Sequence, residues 1–403
     1  MSLLSLQFFS LSIAMVLWVR FAPGPLRMAG FLAGSGFYAA SFLEPIGIAS
    51  TATLCLVGFG LSRLCAARPR WVAPSVCLVV AAFIYFRQYD LVIWALPDRW
   101  LTTALETAGL SYLLFKILHV IVDSGGGRLP ALSLPSYLAY CVNFTTFLLG
   151  PIQRYPDFQS QWQGENDPLD PGLTSHLDAT NRVLRGFVKK FVISEWVAAY
   201  ALLPGESAAG LGFGELLLGA WAFYLFLYLD FSGYCDIMIG IGSLMGIRPP
   251  ENFWLPFFSP NISQYWLRVH RSLTTWLTDY VFQPIYTSLL RSRRFRPRRL
   301  LSRNLAIAAT MIVAGIWHGT TFSFLLFGLV HAFYQVCFRT SEALLERRLG
   351  RSGLKALRAN RAWMIGSTLL TFVATASAYL FFVLDPASLS ALVGLDPSQQ
   401  GAP

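Results

Sequence analysis

The stretch VAGIWHGTTFSF, Val313–Phe324, sets a histidine between a tryptophan and a glycine, with long apolar runs on both sides. An imidazole in such surroundings carries a desolvation penalty unless something pairs with it. In a soluble core, the simple explanation of His318 is a structural histidine bonding a carbonyl at a helix break, helped by Gly319 and Thr320. In a membrane interior, ionisable residues are expensive and mark functional sites by default. The nature of the apolar runs therefore decides between these two roles.

The composition points to a membrane. Of 403 residues, 55% are hydrophobic, 15% aromatic and 13% charged, and the mean hydropathy is +0.52. An ordinary soluble domain carries about 25% charged residues. Apolar runs recur at 3–19, 29–43, 46–62, 71–86, 105–122, 134–149, 187–203, 213–230, 234–247, 305–318, 320–337 and 363–384, several of them near the roughly 20 residues that cross a bilayer. An all-α polytopic integral membrane protein is expected, with about nine to eleven crossings and some shorter re-entrant or interfacial pieces. It reads as one transmembrane domain over 1–385, followed by a loose C-terminal tail at 386–403. The first apolar run has no basic stretch before it, so it is expected to be a retained helix and not a cleaved signal.

The net charge of +10 sits in short stretches between apolar runs: Arg63–Arg70, Arg182–Lys190, RSRRFRPRR at Arg291–Arg299, and Arg347–Arg361. Positive residues in short loops mark the cytoplasmic face. This placement speaks for topology and against nucleic acid, and it would also attract anionic headgroups or an acidic protein partner. Six cysteines lie scattered without a CxxC pair, as small buried hydrophobes do.

Outward from His318, the unusual region is ENFWLPFFSPNISQYWLRVHRSLTTWLTDYVFQPI, Glu251–Ile285. Asn261 with Gln264 three residues on predicts a helix start. Trp266, His270, Leu273 and Leu277 then fall on one helical stripe, which Pro284 is expected to close. Upstream, NRVLRGFVKKFVISEWV from Asn181 predicts an amphipathic interfacial helix. Asp230, Ser232 and Asp236 form a polar cluster in an apolar run, where buried carboxylates need partners. A network with Tyr or Arg groups from neighbouring helices is the leading explanation. His331 and His119 are expected to anchor helices by bonding neighbours.

Four stretches occur in order: GPIQRYPDF at Gly150–Phe158, DFSGYCDIMIGIGSLMGI at Asp230–Ile247 with ENF at Glu251–Phe253, YWLRVHRSLTTWLTDYVFQPI, and GIWHG. Together they resemble the membrane-bound O-acyltransferase (MBOAT) family, above all its bacterial branch of alginate O-acetylation and teichoic-acid D-alanylation enzymes. The motif-bearing core spans 150–337. The resemblance implies a ring of tilted helices around a central catalytic pore, with the family's invariant-type histidine at His318 and its second histidine at His270. The family commonly shows RRWH at the earlier site, whereas here Leu267 and Val269 flank Arg268.

The chemistry suits these residues. Transfer from a thioester to a hydroxyl needs a base near neutral pH and donors where the oxyanion forms. Burial favours the neutral imidazole, the form a base requires. His318 is expected to be the base, and His270 to polarise the acyl carbonyl or position the acceptor. Arg154, Tyr155 and Arg268 are candidate contacts for the donor. Asp230, Ser232, Asn252, Trp266, Asp279 and Trp317 complete the substrate-binding candidates. Metal binding is not expected, since no carboxylate or thiol stands at ligand spacing from either histidine.

The resemblance implies acyl-CoA or an acyl-phosphopantetheine carrier protein as co-substrate on the cytoplasmic side, and no bound cofactor. It further implies an exported or membrane-anchored partner, a cell-surface polymer as final acceptor, and residence in a bacterial inner membrane. Acetyl fits DFSGYCDIMIG and TTWLTDY; D-alanyl fits the short chain. A transporter or flippase for an envelope precursor is the alternative from another class. It predicts matching Gly/Pro-interrupted helices in both halves, whereas the interruptions here crowd into the second half.

Overall fold

A computed structural model of the chain describes residues 5–95, 109–129, 132–163, 172–204 and 210–384. The expected tail lies outside this range. Among the described residues all regular structure is helical. Six helices among the described residues are long and apolar enough to cross a membrane: Pro45–Ala67, Pro69–Arg87, Phe213–Leu244, Arg299–His318, Phe322–Ala359 and Arg361–Val383. A shorter apolar helix, Leu6–Phe21, accompanies them. Their outward faces carry large bare side chains, among them Leu218, Phe333 and Leu370 at 64–70% exposure. Water would penalise such a surface heavily, whereas lipid accepts it.

Helix starts follow local rules. Ser5 Oγ accepts the Phe8 N–H at 3.3 Å, prolines stand in the first turns of Gly24–Ala40 and Pro45–Ala67, and Asn360 Oδ1 accepts the Trp363 N–H at 3.1 Å. These side chains satisfy donors that the first turn leaves open, or remove one. Hydroxyls inside the apolar helices return their protons to the carbonyl four residues back, as in Ser12 to Phe8 and Thr310 to Ala306. That bond lets a polar side chain sit in an apolar helix without an orphaned donor.

The described residues fall into two compact units: one up to Val188 together with Gly233–Glu251, the other Lys189–Ser232 together with Asn252 onward. In the first, the Gly172–Val188 helix lies close against the Gly233–Glu251 segment. A Cβ on Gly186 would stand 2.6 Å from the Gly233 carbonyl oxygen, and one on Gly240 2.8 Å from that of Ala179. Arg182 bridges the same elements, reaching Asp236 at 3.0 Å and Glu251 at 2.5 Å. The expected helix from Asn181 thus begins earlier, at Gly172, and passes through a π turn at Lys189–Ile193.

In the second unit, Arg299–His318 and Phe322–Ala359 pack as an antiparallel pair at glycines. A Cβ on Gly315 would lie 2.6 Å from the Gly328 Cα and 2.5 Å from the Phe324 carbonyl oxygen. Small residues let the two backbones meet, the usual device where lipid supplies no hydrophobic drive between helices. This contact lies one turn before His318, the last residue of its helix.

Three sequence expectations are corrected here. Asn261 does cap a helix, its Oδ1 accepting the Gln264 N–H at 2.9 Å, but that helix covers only Ile262–Trp266. The chain breaks over Leu267–His270 and restarts as Arg271–Leu277, so His270 is a junction and not a member of one continuous stripe. Pro284 likewise does not end the helix: a π turn at Thr278–Phe282 precedes it, and the chain continues as Gln283–Arg291. A widened turn opens the carbonyl ladder where the proline ring would clash. The runs at 213–230 and 234–247 also merge into one helix, Phe213–Leu244, because the single Gly233 between them is tolerated.

Candidate active site

The break before Arg271 and the break after His318 bring the two histidines together. Their ring centroids stand 6.2 Å apart, at 73°, and both side chains are only partly buried. The His318 break has a clear local cause. The Arg299–His318 helix ends there, Gly319 is extended, and the next helix starts at Phe322. A Cβ on Gly319 would lie 2.0 Å from the Phe324 ring, so the glycine makes room for the turn.

His270 has the less ordinary backbone. Its φ of 45° and ψ of 45° lie in the left-handed region, which disfavours a non-glycine residue by about 1–2 kcal/mol. The ENFW segment holds it there. The Arg271 N–H donates to the Asn252 carbonyl at 2.9 Å and the Trp254 N–H to the Arg268 carbonyl at 2.8 Å. Asn252 Oδ1 accepts both the Ser272 N–H at 3.2 Å and the Ser272 hydroxyl at 2.8 Å. Leu255, in the same strap, also has a positive φ of 44°. Strain maintained by surrounding bonds clusters at active sites.

Aromatic rings wall the pair. Phe231 is centred 4.7 Å from the His270 ring and Phe253 5.7 Å. Trp317 lies 5.9 Å from His270 and 4.8 Å from His318. Phe382 and Phe327 approach His318 at 5.2 and 5.7 Å. The His270 Nδ1 is buried with no hydrogen-bond partner among the described residues, a rare condition that a substrate or water would relieve. Two imidazoles in an apolar bowl can take a proton from one oxygen and donate one to another, at short range and with little competing water.

The remaining candidates sort by position. Trp317 and Arg268 belong to this corner; the Arg268 guanidinium donates to the Phe258 carbonyl at 2.8 Å and lies over the Trp254 ring at 5.3 Å. Asn252 is a buried clamp on the backbone around His270. Trp266 faces another way, 5.1 Å from the His331 ring. Asp279 is exposed in the π turn. Asp230 is ion-paired with Lys190, and the buried Ser232 hydroxyl has no partner among the described residues. The carboxylates therefore find cations: Arg182 for Asp236, an arginine as expected, and Lys190 for Asp230, where a tyrosine or arginine was expected.

Arg154 and Tyr155 lie in the first unit. Tyr155 is fully buried, its N–H donating to His119 Nε2 at 2.9 Å and its hydroxyl to Ser136 at 3.2 Å. His119 Nδ1 in turn meets Asp123 at 2.9 Å. The expectation that His119 anchors its helix is met. For His331 it is not: the ring is buried among Tyr265, Trp266 and Phe327, and neither nitrogen has a partner among the described residues. Sequence reasoning missed Phe231, Phe253 and Phe382 as walls. The first two stand inside the quoted motifs DFSG and ENF, but nothing in a phenylalanine alone distinguishes wall from core.

With this corner described, the comparisons give its class. The profile of the membrane-bound O-acyltransferase family matches residues 122–375. The chain belongs to that family and is a polytopic membrane O-acyltransferase. Among similar proteins, a teichoic acid D-alanyltransferase of Streptococcus thermophilus is 31% identical over 69% of this chain and 68% of its own length. A probable alginate O-acetylase AlgI of Pseudomonas putida is 31% identical over 70% of this chain and 56% of its own. A peptidoglycan O-acetyltransferase of Helicobacter pylori is 29% identical over 49% of this chain and 37% of its own. The chain thus spans about two thirds of the first relative and little more than half of the second.

Proposed function

We propose that this enzyme moves an acyl group, acetyl before D-alanyl, from a cytoplasmic thioester toward hydroxyls of a cell-surface polymer, in a bacterial inner membrane. The observation that carries the proposal is the facing pair of imidazoles in an aromatic bowl, on a chain of this family. His318 removes the proton from the acceptor hydroxyl as its oxygen attacks the thioester carbonyl carbon. His270 donates a hydrogen bond to the oxyanion that forms. Collapse breaks the carbon–sulfur bond, and the imidazolium at His318 returns its proton to the departing thiolate. Proton and charge both balance, and no cofactor is called on.

The donor is acyl-CoA or an acyl-phosphopantetheine carrier protein. The arginines of Arg291–Arg299, clustered in one stretch of the second unit, suit either the phosphates of the first or the acidic surface of the second. An exported or membrane-anchored partner completes delivery to the polymer. The acetyl assignment rests on DFSGYCDIMIG and TTWLTDY, and relatives of both kinds match at about equal identity. The deciding experiment is mass analysis of the surface polymer from cells with the chain, without it, and with His318→Ala. An acyl mass present only with the intact chain names group and acceptor together; unchanged polymer in all three rejects the proposal.

A further inference from the structure

In the second unit, an apolar cavity of about 560 Å³ lies between the Phe322–Ala359 segment, which breaks at Gly350 (φ 69°) into two helices, and the Arg361–Ala378 helix. Tyr334, Phe338 and Leu354 line one side, and Met364, Leu370 and Ala374 the other. Its inner end reaches Asn261 and Ile262, the start of the short helix that leads to His270. Glu342, Leu354 and Arg358 are shared with a second cavity of about 370 Å³, which adds Glu346, Arg351 and Lys355. An apolar slot thus opens into a charged vestibule.

The vestibule lining sets Arg351, Lys355 and Arg358 against Glu342 and Glu346, and the chain that flanks it is one-sidedly basic. Between Arg339 and Arg361 the chain carries Arg339, Arg347, Arg348, Arg351, Lys355, Arg358 and Arg361 against Glu342 and Glu346, seven minus two, or a net +5. Arg339 and Arg358 share Glu342, and Arg351 meets Glu346. Two carboxylates cannot neutralise seven cations. Along the slot, Trp363, Met364 and Leu370 are 45–70% exposed on a helix apolar enough to cross a membrane, so its flank faces hydrocarbon. An occupant must combine a hydrocarbon chain with an anionic head. Basic pockets between membrane helices meet anionic lipid headgroups in this way.

We infer that this slot and vestibule form a binding site for an anionic phospholipid, with an acyl chain against Leu354 and Leu370 and its phosphate among Arg351, Lys355 and Arg358. The site goes beyond acyl transfer and is read without it. Full-length protein in detergent is incubated with equal amounts of dioleoyl phosphatidylglycerol and dioleoyl phosphatidylcholine, and retained lipids are counted by native mass spectrometry. Several cations at one phosphate predict a preference for phosphatidylglycerol of roughly tenfold. Ala374→Trp, or Ser341→Trp on the opposite wall, fills the slot and removes most of the retained phosphatidylglycerol. Lys355→Glu with Arg358→Gln abolishes the preference and leaves phosphatidylcholine adducts unchanged. Equal retention of the two lipids by the unaltered protein overturns the site. So does undiminished phosphatidylglycerol in a folded filling variant, or a preference that survives the charge variant.

Discussion

His119 and the His270–His318 pair are all histidines in apolar surroundings, and their environments are opposites. His119 has both nitrogens occupied, one by Asp123 and the other by the Tyr155 N–H. Around it, Lys116 donates to the Tyr140 and Cys141 carbonyls and to Thr146, and the Tyr140 hydroxyl donates to the Gln153 carbonyl. This network is satisfied from within, and it holds the PIQRY turn. The corner at His270 has a strained backbone, a buried nitrogen with no partner among the described residues, and rings where partners would otherwise be. A satisfied polar cluster specifies structure; an unsatisfied one on a strained frame is held ready for something else.

Substitution separates the two. His318→Ala should lower the transfer rate by about 10²–10⁴-fold, the usual worth of a positioned base, with the detergent-solubilised protein unfolding at its usual temperature. A variant that keeps its rate would erase the contrast. His119→Ala should do the reverse. It leaves the Tyr155 N–H and part of the Asp123 carboxylate buried without a partner, for a loss of about 2–3 kcal/mol in stability. Thermal unfolding would show it, while the rate per folded molecule stays near normal. Asn252→Ala lies between: it frees the Ser272 donors and the backbone around His270. We expect about 1–2 kcal/mol of lost stability together with a rate reduced roughly tenfold or more through misplacement of the imidazole.

Much of this division was legible in the residues. Composition and apolar runs gave the membrane class, because the bilayer demands long helices whatever else the chain does. GIWHG and the histidine 48 positions before it marked the two imidazoles that the fold brings to 6.2 Å, because ionisable residues in such runs are functional candidates by default. The break at His270 was not legible. The stripe of Trp266, His270, Leu273 and Leu277 is good helical periodicity, and the force that overrides it comes from Asn252 and Trp254, distant in sequence from most of that stripe. Local pattern carries no trace of a strap that pulls one residue into left-handed backbone. The tyrosine of PIQRY reads differently in the structure: expected as a donor contact, Tyr155 is buried and committed to His119 and Ser136.

Smaller changes refine where structure ends and chemistry begins. Gly315→Ala puts a methyl against the Gly328 backbone, which cannot yield as a flexible side chain would. Overpacking of this kind costs about 1–3 kcal/mol, and since the contact lies one turn before His318, the rate should fall with stability. Arg182→Met should have the smallest effect. It removes pairs to Asp236 and Glu251; the Glu251 side chain is 49% exposed and screened by solvent, whereas Asp236 at 17% loses more, for a total of about 1–2 kcal/mol. Because those pairs join only elements of the first unit, the rate per folded molecule should not change. A rate that drops with Arg182→Met while unfolding stays put would assign this cluster to the chemistry and move the boundary between the two kinds of polar site.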